Sequence, residues 1–468
     1  FARADAANYL QECWDRQGRP VQQQLMQFHY EENQNSLYHS PEPWQVRNSK
    51  STGSVWCNAE HFFQSDTITA GDKVYVSKIQ VAPNELLIQN YWRKELAAVT
   101  ESMVADQPFE IARYAPTMLL NYFLQHQSSA ESTHEANCAV YTLSINKTIV
   151  KLYIRTTDFL LEKVTTTQNN DILGDVKTTL TYSNFASYGK LSYARTVQVE
   201  KLHGIRDSIS ISAVALVESV TPLVDKPVGY SVGKDAATNP EVQVEKINNH
   251  IYFLNFPQTQ SKSTLVEFRD FFVVIDAPFN SKNGELIIGE AQKIAPDKPV
   301  RYYTFGHHHP WYIGGVRSFI HHGTTILCTE KNIPYLQFIA SAPHTLQPDS
   351  LQMQPKELVT KVLDSTTTIS DGNFEMNIYW IGGKSKHTND YLLFYFPSEK
   401  LLLEGDLAWI PKDGVVQKAS STQRALYNAI KELGIPVQTV SQSWPVSDAY
   451  AVKSVFSFEE LERSINVE

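Results

Sequence analysis

The spacing of apolar positions changes along the chain, and each change marks a different kind of element. In residues 1–135 the pattern is mixed. Asp5–Gln17 reads as an amphipathic helix stopped by Gly18 and Pro20. Glu85–Ala105 reads as partly helical, and Ala115–Gln127 as a helix with Leu119, Leu120, Tyr122, Phe123 and Leu124 on or near one face. Pieces rich in Gln, Asn and Ser separate these stretches, so a helical and irregular N-terminal region is expected.

From Cys138 the period becomes two. Val140, Thr142 and Ser144 alternate with Tyr141, Leu143 and Ile145, and Asn146–Lys147 supplies a tight turn. The alternation continues through Ile149–Arg155, Leu160–Thr167, Asp175–Tyr182, Leu191–Glu200 and Ser208–Ala215, with turn signals at Asn169–Asp171, Tyr188–Lys190 and His203–Gly204. Short strands at this spacing predict an antiparallel meander over 136–220.

Pro222, Pro227, Gly229, Gly233 and Pro240 make 221–243 the best linker candidate. Beyond it, apolar strands (Ile251–Asn255, Ser263–Glu267, Phe271–Asp276) lead into a helical segment, Gly284–Ile294, and then a strand, Val300–Phe305. Strands and helices alternate to the end, which predicts a mixed α/β layering over 244–468.

Composition narrows the function. Apolar residues make up 42% of the 468, ample for packed cores, while charged residues are only 19%, which excludes wholesale disorder. The net charge of -9 comes without any dense basic run, so a phosphate backbone finds no stripe to bind and nucleic acid is not an expected partner. No apolar run approaches the ~20 residues of a membrane-spanning helix. The chain begins at Phe1 and not at Met, which fits a removed export signal or a trimmed chain; with the first, a periplasmic or extracellular place of work is expected. Four scattered cysteines (Cys13, Cys57, Cys138, Cys328) form no CxxC pair, so a thiolate metal site is not expected and their disulfide status is open.

Histidine carries the chemistry. Five of the 14 lie between His307 and His322, and the strand Val300–Phe305 runs straight into Gly306-His307-His308-His309-Pro310-Trp311-Tyr312-Ile313-Gly314-Gly315. If the chain stays extended past Gly306, the side chains of 307 and 309 share a face and 308 points away, outward. Two imidazoles so placed can chelate one zinc ion at about 2.0–2.1 Å from each nitrogen.

This run resembles the signature of the metallo-β-lactamase superfamily, His-x-His-x-Asp-His followed by x-Gly-Gly after an apolar strand. The two leading histidines and the glycines match; Trp311 and Tyr312 stand where the family has an acid and a histidine. Phe271–Asp276 resembles the family's early strand ending in aspartate. Lys386-His387-Thr388 resembles the segment supplying a third histidine, and Phe396–Asp406 the hairpin ending in Gly-Asp. After the last strand, Ser443 stands where the family usually has another histidine.

The resemblance implies an α+β fold, an αββα sandwich over 244–468, preceded by the helical region and the antiparallel sheet. It implies one metal site, His307, His309 and His387 with Asp406 as a fourth ligand, holding one zinc per chain. The second site of a two-metal mechanism would need Trp311, Tyr312 and Ser443, which are poor ligands. Trp311 and Tyr312 are instead candidates for substrate contact. The catalytic base is not assigned. Two functions follow. One is a single-zinc hydrolase of an ester, lactone, thioester, amide or phosphodiester. The other is a degenerate relative that binds a small or lipid-like ligand without turning it over. Residues 138–220 also loosely resemble the curved sheets of periplasmic lipoprotein carriers, through Gly174–Asp175, Thr181–Ser183 and Gly189.

Overall fold

The computed structural model describes residues 2–37, 39–71, 73–83, 85–90, 95–97, 99–218, 231–232, 241–446 and 450–467. The chain forms two compact units. One comprises Phe1–Tyr38, Val46–Asn169 and Asp175–Asp235; the other His39–Gln45, Asn170–Gly174 and Ala236–Glu468. The linker expected over 221–243 falls largely outside the described residues.

The first unit is built on one 14-stranded sheet in which almost every pairing is antiparallel. The strands expected after Cys138 form, from Cys138–Ile145 to Arg206–Val217. The helical reading of 1–135 gives way over most of its length. Leu25–Ser36, Arg47–Cys57, Phe62–Ala70 and Lys73–Ala82 are strands that continue the same sheet. Their alternation is masked by inward-facing polar side chains. Met26, Phe28 and Tyr30 are buried, and so, two residues on, is Glu32. Burial of that carboxylate is offset by Arg113, which bonds both Glu32 and Asp207, and by the Tyr114 hydroxyl at 2.9 Å. The helices Ala2–Gln17 and Thr117–Gln125 do form, and Leu10, Trp14, Leu119, Leu120 and Phe123 enter the sheet's core.

The second unit holds two sheets. In the seven-stranded one, Gln243–Lys246, Ile251–Phe256, Ser261–Glu267 and Phe272–Ile275 pair antiparallel; Val300–Thr304, Thr325–Cys328 and Thr360–Val362 then add in parallel. The six-stranded one runs Thr366–Ser370, Glu375–Trp380, Leu392–Phe396, Leu401–Glu404, Thr439–Gln442, Val455–Ser457. Strands such as Phe272–Ile275 are buried throughout because both faces are covered. Val273 and Ile275 pack with Met376, Ile378, Phe394 and Leu403 of the other sheet. Phe272 and Val274 pack with Ile287, Ile288, Phe319 and Leu336 of the helices Ser281–Ile294, Val316–His321 and Ile333–Ser341. On the far side, Leu402 and Val440 pack with Leu426, Ile430 and Leu461 of Ser421–Leu433 and Phe458–Ile465. This unit is α+β, as expected.

Arg317, in the helix Val316–His321, is fully buried and forks onto Asp349 at 2.7 and 2.9 Å. Burial works against the Asp349 carboxylate, but Arg317 outweighs it and holds the group below its usual 3.8. Asp349→Ala would strand a buried guanidinium and is expected to cost the unit about 3–5 kcal/mol in urea unfolding. A carboxyl whose pKa is lower folded than unfolded contributes stability above the unfolded value. The wild-type protein should therefore lose this contribution as pH falls below 3.8 towards the folded pKa, while the variant lacks that part of the slope.

Candidate metal centre

The parallel strand Val300–Thr304 delivers the histidine run to one end of the seven-stranded sheet. Asp276, at the end of the neighbouring strand, fixes the turn: its Oδ1 accepts from Gly306 N at 2.7 Å and its Oδ2 from the Ser443 hydroxyl at 2.6 Å. Past Gly306, His307 and His309 face the same way, with His307 Nε2 and His309 Nδ1 3.0 Å apart. His308 turns the opposite way, as alternation requires, but into protein and not into solvent. It is 5% exposed, its Nδ1 bonds Asp390 Oδ1 at 3.0 Å, and its backbone N–H donates to Asp390 Oδ2 at 2.9 Å.

The other two expected residues come from the second sheet. His387 follows the turn Gly382–Ser385, and Asp406 follows the strand Leu401–Glu404; His387 Nε2 and Asp406 Oδ2 lie 3.3 Å apart. The Tyr391 hydroxyl shapes the aspartate's turn, accepting from Gly405 N at 2.9 Å and Asp406 N at 3.0 Å and donating to Glu404 Oε2 at 3.0 Å. Glycine is required at 405 because a Cβ would stand 2.7 Å from that hydroxyl and 3.3 Å from the His307 ring.

His307, His309, His387 and Asp406 each offer a ligand atom, all within 4.8 Å of one another. The three imidazole centroids are 4.6, 4.9 and 5.0 Å apart. Two ligands held ~2.0–2.1 Å from one tetrahedral ion stand about 3.3–3.4 Å apart, close to the His387–Asp406 spacing and slightly wider than the His307–His309 spacing. Three imidazole nitrogens and a carboxylate oxygen are a donor set that suits a divalent ion of zinc type, and this cluster could hold one.

The electrostatics fit. Burial, then the neighbouring imidazoles, hold His307 well below the usual histidine range and push His309 down to about 3. Both rings are therefore neutral, with lone pairs to give. Burial opposes ionisation of Asp406, yet His387 beside it keeps its carboxyl below the usual value. The His309 Nε2–H donates to the Ser40 carbonyl at 3.0 Å, which leaves Nδ1 bare toward His307. Either a proton on His307 Nε2 or a cation fills that gap.

The residues in the second-site positions do something else. Ser443 is committed to Asp276. The Tyr312 ring is fully buried against His307, centroids 4.1 Å apart, with its hydroxyl near Asp406 and no well-formed hydrogen bond. Trp311 stacks with His39 at 5.4 Å and meets Phe279 and Trp444; Trp409 and Tyr450 pack on Trp444.

Sequence reasoning missed His39, Ser40 and Tyr391. A lone histidine ahead of Ser-Pro-Glu-Pro signals only a turn, and Tyr391 reads as strand filler. It missed Lys262 as well. This side chain is buried, donates to the Ser441 hydroxyl at 2.6 Å, and lies 4.2 Å over the Phe253 ring. Burial pushes it from 10.5 down to about 7, against the pull of Glu245 and Glu404. Between those values the unfolded chain holds the extra proton, so this group makes stability rise with pH from about 7 to 10.5. Lys262→Met should remove that slope and stabilise the protein at pH 7 by on the order of 1 kcal/mol, read from unfolding curves across pH.

No protein-family model matches the chain, and no curated protein does. Solved structures do. A metallo-β-lactamase from Pontibacter korlensis is 18% identical, over 48% of this chain and 97% of its own, with a TM-score of 0.34. One from Hirschia baltica is 17% identical over 48% and 97%, TM-score 0.34. FIM-1 from Pseudomonas aeruginosa, in the mono-zinc form, is 18% identical over 48% and 93%, TM-score 0.33. Likenesses this distant say nothing of what the chain binds or turns over.

Proposed function

We propose that the second unit is an αββα sandwich of metallo-β-lactamase type and that the protein is a hydrolase using one divalent metal, zinc, held by His307, His309, His387 and Asp406. The observation that carries this reading is the convergence of those four side chains, from both sheets, with ligand atoms within 4.8 Å of one another. An ion there would supply Lewis acidity toward water and toward the carbonyl or phosphoryl oxygen of an ester, lactone, thioester, amide or phosphodiester.

The chain's own groups do the rest. The buried neutral imidazoles carry no charge that an incoming cation would have to displace. The Ser40 carbonyl and Tyr391 hydroxyl fix the directions of His309 and of the Asp406 turn. Trp311, Trp444 and Trp409, the last of them 37% exposed, give a substrate with an apolar or aromatic group a surface to lie against. With Trp311, Tyr312 and Ser443 already engaged, one metal is favoured over two.

The test is a panel of chromogenic esters, lactones, thioesters, amides and phosphodiesters. Turnover should be abolished by chelator and restored by zinc. Zinc uptake with tight ligand binding but no turnover of any of them would favour the degenerate, binding-only protein instead.

A further inference from the structure

The segment His39–Gln45 packs as part of the second unit, although it lies far from the rest of that unit in sequence. It is seated at many points. Ser40 O accepts from His309 Nε2 at 3.0 Å, 269 positions away in the chain. Pro41 O accepts from Asn389 N at 2.8 Å. Glu42 Oε1 accepts from Asn389 Nδ2 at 2.8 Å and pairs with Lys331 Nζ at 2.9 Å. The Trp44 ring meets Tyr335 and Phe338 edge to face, centroids 5.2 and 4.9 Å apart. Inside the segment, the Ser40 hydroxyl bonds Gln45 O, and Gln45 N donates to Glu42 O at 3.2 Å. The His39 ring lies edge-on to His309 at 5.1 Å and to His387 at 6.3 Å. Both His39 and Trp44 adopt positive φ, 54° and 66°, a conformation that side chains other than glycine hold only when surroundings impose it.

We propose that His39–Gln45 is a strap belonging to the metal centre. Its Ser40 carbonyl is the outer partner that selects the Nε2–H tautomer of His309 and so aims Nδ1 at the ion, while Glu42 and Trp44 hold that carbonyl in place. An imidazole that ligates through one nitrogen needs the other fixed, and loss of such an outer partner typically weakens metal binding 10–100-fold. No other group among the described residues bonds His309 Nε2. Ser40, 1% exposed, is a positioning residue acting through its backbone, so its side chain is not the place to intervene. The anchors are.

The strap rests on the metal reading, and two measurements on the full-length chain separate them. The first is the His309 tautomer in zinc-free protein, read from long-range proton–nitrogen NMR of the labelled imidazoles. The second is zinc affinity by competition with a chelator. Wild type should show His309 as the Nε2–H form. Glu42→Ala combined with Trp44→Ala should mix the tautomers and weaken zinc binding about 10–100-fold. Glu42→Gln and Trp44→Phe, which keep the acceptor and the ring, should behave as wild type. Glu42→Ala alone changes a side chain that is 44% exposed, so it keeps the test readable if the double variant fails to fold; it should move both readouts the same way, by less. Unchanged tautomer and unchanged zinc affinity in the alanine variants would overturn the strap. Wild type that takes up no zinc, yet whose His309 tautomer responds to the anchors, would overturn the metal reading and leave of the strap only its fixing of the His309 ring.

Discussion

Exchanging His309 for Ala is expected to strip the metal from the protein while leaving the fold in place. The ring lies between two other imidazoles of the cluster, with its Nδ1 3.0 Å from His307 Nε2 and its centroid 5.0 Å from that of His387, so its loss opens one side of the donor set. Losing a ligand should cost more than the ~10–100-fold typical of an outer partner. The variant should emerge from purification with little zinc, against about one per chain in wild type, and with an unchanged circular dichroism spectrum. His308→Ala is the informative contrast. Its ring bonds Asp390 and not the ligand cluster, so metal should be retained while stability falls.

The second large effect is expected at Gly314. The pair Gly314–Gly315 looks like part of a metal signature, but its role here is close packing. A Cβ on Gly314 would stand 2.4 Å from the backbone N, Cα and C of Phe279, which has no side-chain freedom with which to yield. Gly315 is similarly pressed, 2.7 Å from the Ala277 Cβ. Overpacking against backbone belongs at or above the top of the usual 1–3 kcal/mol range, so Gly314→Ala should destabilise the second unit by about 3 kcal/mol or more. Gly289→Ala provides the opposite sign. It lies mid-helix in Ser281–Ile294 with nothing within 4 Å of a Cβ, and should stabilise by about 0.5–1 kcal/mol. Urea unfolding of both variants checks the pair.

What could be read in the sequence follows from how local each signal is. Strands buried on both faces, such as Phe272–Ile275 and Leu392–Phe396, announce themselves as apolar runs, and the alternating strands after Cys138 do so by period. The sheet between Leu25 and Ala82 stayed hidden because buried positions there carry Glu32, Gln64, Asp66 and Gln80, and because Arg113 pairs with Glu32, and Tyr30 with Gln64 and Asp66, from far along the chain. The site divides in the same way. His307 and His309 are visible because a strand presents them two apart, and His387 and Asp406 because each flanks a recognisable strand. His39, Ser40 and Tyr391 act through contacts that no spacing encodes. His308 was expected to point outward and is buried. Trp311 and Tyr312 looked like blemishes in a motif; in the structure they are packed parts of the wall around it.

The measurement that bears most directly on all of this is the metal content of the untreated full-length protein, by elemental analysis, beside a variant in which His307, His309 and His387 are all Ala. The expected result is about one zinc per wild-type chain and none in the variant. Wild type without bound metal, or a variant that keeps it, would contradict a metal centre at these residues.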